Sequence, residues 1–330
     1  MLEHGGRLRA AADRYGIALP DWLDLSTGIA PYGFAVPDIP ADAWKRLPET
    51  EDNLAAVARD YYQAASVLPV AGSQAAIQML PRLRRNLQVG VVSPCYGEHA
   101  EAWRRENHPV FEISEGCVPR ALDQLDVLVL VNPNNPTGRL LPPALLLEWH
   151  ARLASRGGWL VVDEAFMDPT PEQSLALHSD LPGLIVLRSF GKFFAMAGAR
   201  LGFVLAQTEL LTQLDEALGP WTIAGPSRFV GSVLLADRDA QRQQRERLLA
   251  DSHRLSCLLT EHELPPTGGC GLFQWVATEQ SDRLYEFMGR RGILARRYRY
   301  PQSLRFGLPA NEQDWQRLAQ VLQAYRERDA

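Results

Sequence analysis

Lys192 lies in Leu187-Arg188-Ser189-Phe190-Gly191-Lys192-Phe193-Phe194, where flanking aromatic rings would strip water from its amine. An amine kept from water loses proton affinity and attacks carbonyl carbon, the chemistry of a Schiff-base lysine. A surface lysine in a loop is the ordinary alternative, and the aromatic surroundings argue against it. Asp163 follows the all-apolar run Trp159-Leu160-Val161-Val162, so its carboxylate emerges at the floor of a crevice and needs a cationic partner. A protonated pyridine nitrogen would satisfy it, which is how a protein keeps pyridoxal 5'-phosphate (PLP) electron-withdrawing. A helix N-cap or a buried ion pair would use Val-Asp-Glu equally well.

Such a cofactor needs a phosphate handle. Gly72-Ser73-Gln74 follows Val67-Leu68-Pro69-Val70-Ala71 where a strand turns into a helix, and backbone N–H groups at a helix start meet anions through geometry and dipole together. Ser189 and Arg200 flank Lys192 closely enough to add a hydroxyl and a fixed cation. Asn135, held by prolines in Asn132-Pro133-Asn134-Asn135-Pro136-Thr137-Gly138, is placed to donate to a phenolate oxygen, and Tyr96 to stack on a pyridine face. A turn and core packing are their commonplace uses.

These residues share one position in the pattern. The apolar runs Val89–Val92, Val127–Val131, Trp159–Val162 and Leu184–Leu187 are separated mostly by helix-period stretches such as Pro142 to Arg156. Nearly continuous apolar strands alternating with helices form a mostly parallel sheet covered on both faces, an α/β core that binds ligands beyond the carboxyl ends of its strands. Each polar group named above except Arg200 follows one of these runs or the run Val67–Ala71. Beyond Trp221 come a long helix through Leu248 to Leu259, two or three short strands, and helices near 281–290 and 312–326. The expected organisation is an extended, Pro- and Gly-rich amino-terminal arm over 1–40 joining the small domain, a large cofactor domain over 41–224, and a small α+β domain over 225–330.

The chain has 330 residues, 46% hydrophobic and 22% charged, enough for one enlarged core or two ordinary ones. A formal net charge of -5 argues against a protein built to hold nucleic acid. Cys95, Cys117, Cys257 and Cys270 form no C-x-x-C pair and have no histidine at zinc-site spacing, so no metal site and a reducing compartment are expected. The first residues lack the order of a secretory signal, and no apolar run reaches the ~20 residues of a membrane span. The expectation is a cytoplasmic chain with no membrane partner.

Val162-Asp163-Glu164-Ala165-Phe166, Ser189-Phe190-Gly191-Lys192 followed by Gly198-Ala199-Arg200-Leu201-Gly202, and Asn132 to Gly138 resemble, in order and spacing, the signature set of fold-type I PLP-dependent enzymes, aminotransferase class I/II. The likeness covers nearly the whole chain. It implies that architecture, with Lys192 joined to the cofactor's aldehyde, Asp163 at the pyridine nitrogen, Asn135 at the phenolic oxygen, Tyr96 on the ring, and Gly72, Ser73, Gln74, Ser189 and Arg200 around the phosphate. It also implies a homodimer, in which Trp22, Leu23 and Phe34 of the arm would gain cover.

A narrower likeness lies at the ends. His4-Gly5-Gly6, Asp24-Leu25-Ser26-Thr27-Gly28-Ile29-Ala30-Pro31, Gly292 to Arg297 and Leu304 to Pro309 are similar to the L-threonine-O-3-phosphate decarboxylases of cobalamin synthesis, neighbours of the histidinol-phosphate aminotransferases. Phe166, where those aminotransferases usually carry tyrosine, leans toward the decarboxylase. Leu47 before Pro48 replaces a tyrosine that in relatives reaches a neighbouring subunit's phosphate, and Ala30 replaces an asparagine of the arm. A phosphorylated amino acid needs its own cations, and Arg296, Arg297, Arg299 and Arg305 cluster in the small domain. Arg305 is the candidate for the α-carboxylate, and Arg296 and His4, with Gly5 and Gly6, for the substrate phosphate. A solvated basic face is the alternative for Arg297 and Arg299. The resemblance therefore implies decarboxylation of L-threonine O-3-phosphate to (R)-1-amino-2-propanol O-2-phosphate. A histidinol-phosphate-type aminotransferase is the alternative, and a non-catalytic binding protein on the same fold a third reading.

Overall fold

The computed structural model describes residues 5–329, which contacts divide into two units. The first holds the chain up to Tyr32, residues 136–139 and Gln244 onward; the second holds Gly33–Asn135 and Leu140–Gln243. Strands are numbered in chain order, β1 to β12.

The first unit is built on a five-stranded sheet in the order β1 (Leu23–Leu25), β11 (Ile293–Arg299), β12 (Gln302–Gly307), β10 (Phe273–Ala277) and β9 (Gly268–Cys270). β1 runs parallel to β11, and the remaining neighbours are antiparallel. Helices Ser281–Gly289, Glu312–Asp329 and most of Arg238–Glu261 belong to this unit.

The amino-terminal arm is not extended throughout. Leu8, Ala11, Ala12 and Tyr15 recur at helical spacing ahead of the first proline, and Leu8–Tyr15 is a helix closed by Gly16 in the left-handed conformation. Its Ala11 is buried with Trp22 and Leu294. Trp22 and Leu23 are thus covered within their own unit, while Phe34, in the second unit, packs on Phe193 and Phe194 at 5.9 and 5.0 Å between ring centroids. Trp22 and Leu23 are buried by the chain itself, whereas Phe34 stays half-buried.

The second unit is built on a seven-stranded sheet in the order β2 (Val67–Val70), β8 (Gly202–Leu205), β7 (Leu184–Ser189), β6 (Trp159–Asp163), β5 (Val127–Val131), β3 (Val89–Val92) and β4 (Val110–Ile113). Neighbours from β7 to β4 are parallel, and β8 runs antiparallel to both β2 and β7. β5 and β6 are buried along their whole length, which is why they read as unbroken apolar runs. β4, at the edge, exposes Phe111 and Glu112 and so carries no such signal.

Helix Gly225–Ala236 also belongs to the second unit. Gly231 comes so close to the core that a Cβ there would sit 2.5 Å from Leu201 Cδ2 and 3.0 Å from Leu54 Cδ1, and Arg228 forks onto Asp52 with two bonds of 2.7 Å. Contacts therefore carry this unit to Gln243, beyond the change of pattern at residue 225. Among the described residues no helix is long and apolar enough to cross a membrane, and no group of three or more His, Cys, Asp or Glu side chains is placed to hold a metal.

Candidate active site

The cofactor candidates all lie in the second unit, at the ends of its strands. β6 delivers Asp163 as its last residue, buried like the strand before it. Its Oδ1 accepts the Ala165 N–H at 3.0 Å, and its Oδ2 lies 2.9 Å from Nε2 of the equally buried His99. A carboxylate can only accept, so His99 Nε2 carries the proton of that bond. His99 is a residue the sequence reading missed; it lies three positions after Tyr96, in the first turn of the helix Glu98–Arg105.

The Tyr96 ring meets His99 edge-on at 6.0 Å, and its hydroxyl donates to Gln74 Oε1 at 3.2 Å. Burial, with Glu98 and Asp163 nearby, pushes the Tyr96 phenol up to about 12, so it stays neutral at ordinary pH. Asn135 is half-buried in the loop after β5. That loop is closed by Asn132, whose amide exchanges two bonds with the Leu141 backbone at 2.8 and 3.1 Å, and it is pinned to β6 where Asn132 N–H donates to the Asp163 carbonyl at 2.8 Å.

Three segments converge at the phosphate candidates. β7 and β8 pair so that Ser189 stands opposite Gly202. A Cβ on Gly202 would fall 2.5 Å from the Ser73 nitrogen and 2.8 Å from the Arg188 carbonyl oxygen, and a Cβ on Gly72 would fall 2.8 Å from an Arg200 Nη atom. Gly72, Ser73, Ser189 and Arg200 are therefore brought together, with Gln74 next along the helix Ser73–Met79. Arg200 itself holds left-handed backbone angles, φ 50° and ψ 50°, a conformation that costs a non-glycine residue about 1–2 kcal/mol and that collects at functional sites. This cradle of N–H groups, hydroxyls and a guanidinium fits a phosphate ester.

Lys192 sits on the short helix Phe190–Phe193 that follows β7. Phe190, Phe193 and Phe194 are fully buried, with the first and last stacked at 4.4 Å, and Lys192 Nζ lies 5.7 Å from the centre of the Phe166 ring. Gly191 is required by closeness: a Cβ there would meet the Ala197 Cα at 2.8 Å.

Beneath these groups the sheet hides an ionic cluster that sequence reading did not anticipate. Arg188, one residue before Ser189, reaches Glu164 and Asp168 at 2.7 Å each and lies 4.6 Å over the Tyr62 ring. Tyr61 donates to Asp168 at 3.0 Å, and the Leu175 N–H to Glu164 at 2.8 Å. Burial pushes the Glu164 carboxyl upward against the pull of Arg188. An arginine inside the apolar run Leu184–Leu187-Arg188 was the available signal, since such a charge must find a buried partner.

The substrate candidates lie in the first unit, except that His4 falls outside the described residues. Arg305 on β12 stands directly opposite Arg296 on β11. Arg305 is buried, donates from Nη2 to the Ser26 carbonyl at 2.9 Å and lies 4.8 Å over the Phe273 ring. Arg296, Gly5, Gly6 and Ser26 line a cavity of about 210 Å³ that also holds Arg7 and Arg14. Arg297 lines the same cavity and is tied to Asp282 at 3.0 Å, and Arg299 is exposed near the end of the hairpin.

A family model described as aminotransferase class I and II matches residues 43–322. A threonine-phosphate decarboxylase of Pseudomonas aeruginosa is 62% identical over 327 residues, covering 99% of this chain and 99% of that protein. One from a Sinorhizobium species is 41% identical over 326 residues, covering 97% of each. Among solved structures, the histidinol-phosphate aminotransferase of Sinorhizobium meliloti in complex with pyridoxal-5'-phosphate superposes with a TM-score of 0.84 at 17% identity, over 100% of this chain and 96% of that one, a likeness of fold.

Proposed function

The chain belongs to the aminotransferase class I and II family, and from that premise we propose that it removes carbon dioxide from L-threonine O-3-phosphate to give (R)-1-amino-2-propanol O-2-phosphate, as a step of cobalamin biosynthesis. The observation that carries this reading is the end-to-end likeness to the threonine-phosphate decarboxylase of Pseudomonas aeruginosa. The histidinol-phosphate aminotransferase alternative draws its support from the shared fold. A non-catalytic role has Lys192, Asp163, Asn135 and Arg200, all retained, against it.

Pyridoxal 5'-phosphate is the cofactor, and when bound it supplies a sink for the electron pair released at the substrate's Cα. Asp163, backed by His99 and the Ala165 N–H, would keep the ring nitrogen protonated. Tyr96 would present the face of a neutral phenol, and Asn135 would donate to the phenolic oxygen. Gly72, Ser73, Gln74, Ser189 and Arg200 would hold the phosphate. Lys192 Nζ would hold the aldehyde carbon until the substrate's amine displaces it, and the freed, protonated amine would then be placed to give a proton to Cα once carbon dioxide has left.

Which bond at Cα breaks depends on how the substrate is held. Two guanidinium groups directly opposite on an antiparallel ladder repel each other, so Arg296 and Arg305 favour a ligand with anions at both ends. Arg305 takes the α-carboxylate in a planar two-point fit, and Arg296 with Gly5, Gly6 and His4 takes the phosphate. The enzyme works as a cytoplasmic homodimer with no nucleic-acid or membrane partner. Support for the dimer comes from Trp44, Leu47 and Val233, which are 68%, 64% and 39% exposed in the second unit, the last two lining a groove of about 490 Å³.

The test is to give the purified protein L-threonine O-3-phosphate and, separately, histidinol phosphate with 2-oxoglutarate. Carbon dioxide from the first, with no ketone from the second, is the expected result. Ketone without carbon dioxide refutes the proposal.

A further inference from the structure

We infer that Ser26 is a positioning residue that sets the reach between the two anion-binding ends of the substrate site, by tying Gly6 to the backbone carbonyl that holds Arg305. This rests on reading Gly5, Gly6, Arg296 and Arg305 as substrate-binding groups. Ser26 follows β1 and is 1% exposed.

Its hydroxyl has one proton, which Asp24 Oδ1 accepts at 2.6 Å while also accepting the Ser26 N–H at 2.9 Å. With the rotor fixed that way, the hydroxyl lone pairs face away from Asp24, and the Gly6 N–H donates into one of them at 2.9 Å. The Ser26 carbonyl meanwhile accepts from Arg305 Nη2 at 2.9 Å. Gly5 passes so close to this carbonyl that a Cβ on it would lie 2.4 Å from the oxygen.

A single buried residue therefore touches the phosphate end through its side chain and the carboxylate end through its backbone. The spacing of the two ends is fixed by the covalent frame of Ser26 rather than by two long, independently mobile side chains, so less ordering is left for the substrate to impose. A ligand with both anions at the matching distance engages both ends. One without the phosphate uses only the Arg305 end.

Ser26→Ala separates the two functions, because it keeps the carbonyl that Arg305 uses and deletes the hydroxyl that Gly6 uses. In the PLP-loaded enzyme, KM for L-threonine O-3-phosphate is expected to rise about tenfold, equivalent to roughly 1.4 kcal/mol, with kcat falling less than about threefold. The inhibition constant of inorganic phosphate should weaken by a similar factor, and that of L-threonine should stay within about twofold. Gly5→Ala, on an exposed segment outside the core, should reproduce the pattern by pushing that segment off the carbonyl. Equal weakening of phosphate and threonine, a loss confined to kcat, or no change in either variant overturns the inference. Parent enzyme that treats threonine and its phosphate alike refutes the substrate reading and this inference together, whereas a discriminating parent with unaltered variants refutes only this inference.

Discussion

His99 Nε2 donates to Asp163 Oδ2 across 2.9 Å with both side chains closed off from solvent, so the acid at the end of β6 is aimed by a helix that starts after β3. Asp163 is the group proposed to face the pyridine nitrogen, and this bond orients it. His99→Phe should keep the fold and lower kcat by the order of 10- to 100-fold that losing an orienting partner costs. Steady-state rates together with the absorbance spectrum of the bound cofactor check this. An unchanged spectrum and rate would free Asp163 from any dependence on His99.

Replacing Lys192 by Met leaves the aromatic cluster intact and removes the amine. Turnover should fall by at least about 10²–10⁴-fold, and borohydride should no longer fix cofactor mass to the peptide containing position 192. Mass spectrometry of the reduced protein reads the second effect independently of rate.

At Gly202 the conflict is steric. The Cβ introduced by Gly202→Ala lands 2.5 Å from the Ser73 nitrogen, so β8 and the turn at Gly72 must part. PLP affinity should weaken about tenfold or more, with a stability loss of about 1–3 kcal/mol. Gly198→Ala is the matched control, since nothing lies within 4 Å of its added methyl. Cofactor titration by fluorescence distinguishes the two variants.

Arg188→Met leaves Glu164 and Asp168 buried without the cation that joins them, which should cost about 3–5 kcal/mol. Burial already raises the Glu164 carboxyl. A group with a raised folded-state value contributes stability that is complete below the unfolded value and is lost as pH climbs through the folded one. The variant should therefore lose less stability at pH about 5 than at pH about 8. Urea denaturation at both pH values tests the sign.

Cysteine chemistry gives a prediction independent of turnover. Burial pushes the Cys95 thiol up to about 12 and the Cys270 thiol up to about 11, whereas Cys117 and Cys257 are exposed. Iodoacetamide at pH about 8.5 should label Cys117 and Cys257 in the native protein, and reach Cys95 and Cys270 only after unfolding. As pH rises above 9, the unfolded thiols ionise before the folded ones, so these two sites also withdraw stability toward pH 12.

The large sheet was legible in the sequence wherever burial on both faces left no polar residue, as in β5, β6 and most of β7. It was not legible in β4, whose edge position lets Phe111 and Glu112 face water, or in β8, where Gly202 begins a strand inside a glycine-rich motif. Lys192 and Asp163 could be singled out because a charged residue at the end of an apolar strand has few structural uses, and Arg200 because it lies close to Lys192 in the sequence. His99, Glu164 and Ser26 carry their roles through partners distant in the chain, which local spacing does not encode. The helix Leu8–Tyr15 escaped notice because glycine and proline nearby dominated the reading of the arm.

The parallel pairing of Leu23 with Ile293 also governs how the protein is made. On the ribosome, Leu23 is made before any of the second unit, but its partner strand is translated only after all of that unit. The second unit, whose segments all lie between Gly33 and Gln243, has its complete sequence by then and is free to collapse first. The β1 segment must wait uncommitted through that interval. A synthesis pause or truncation ahead of Ile293 would release a finished cofactor unit beside a β1 segment that has no strand to join.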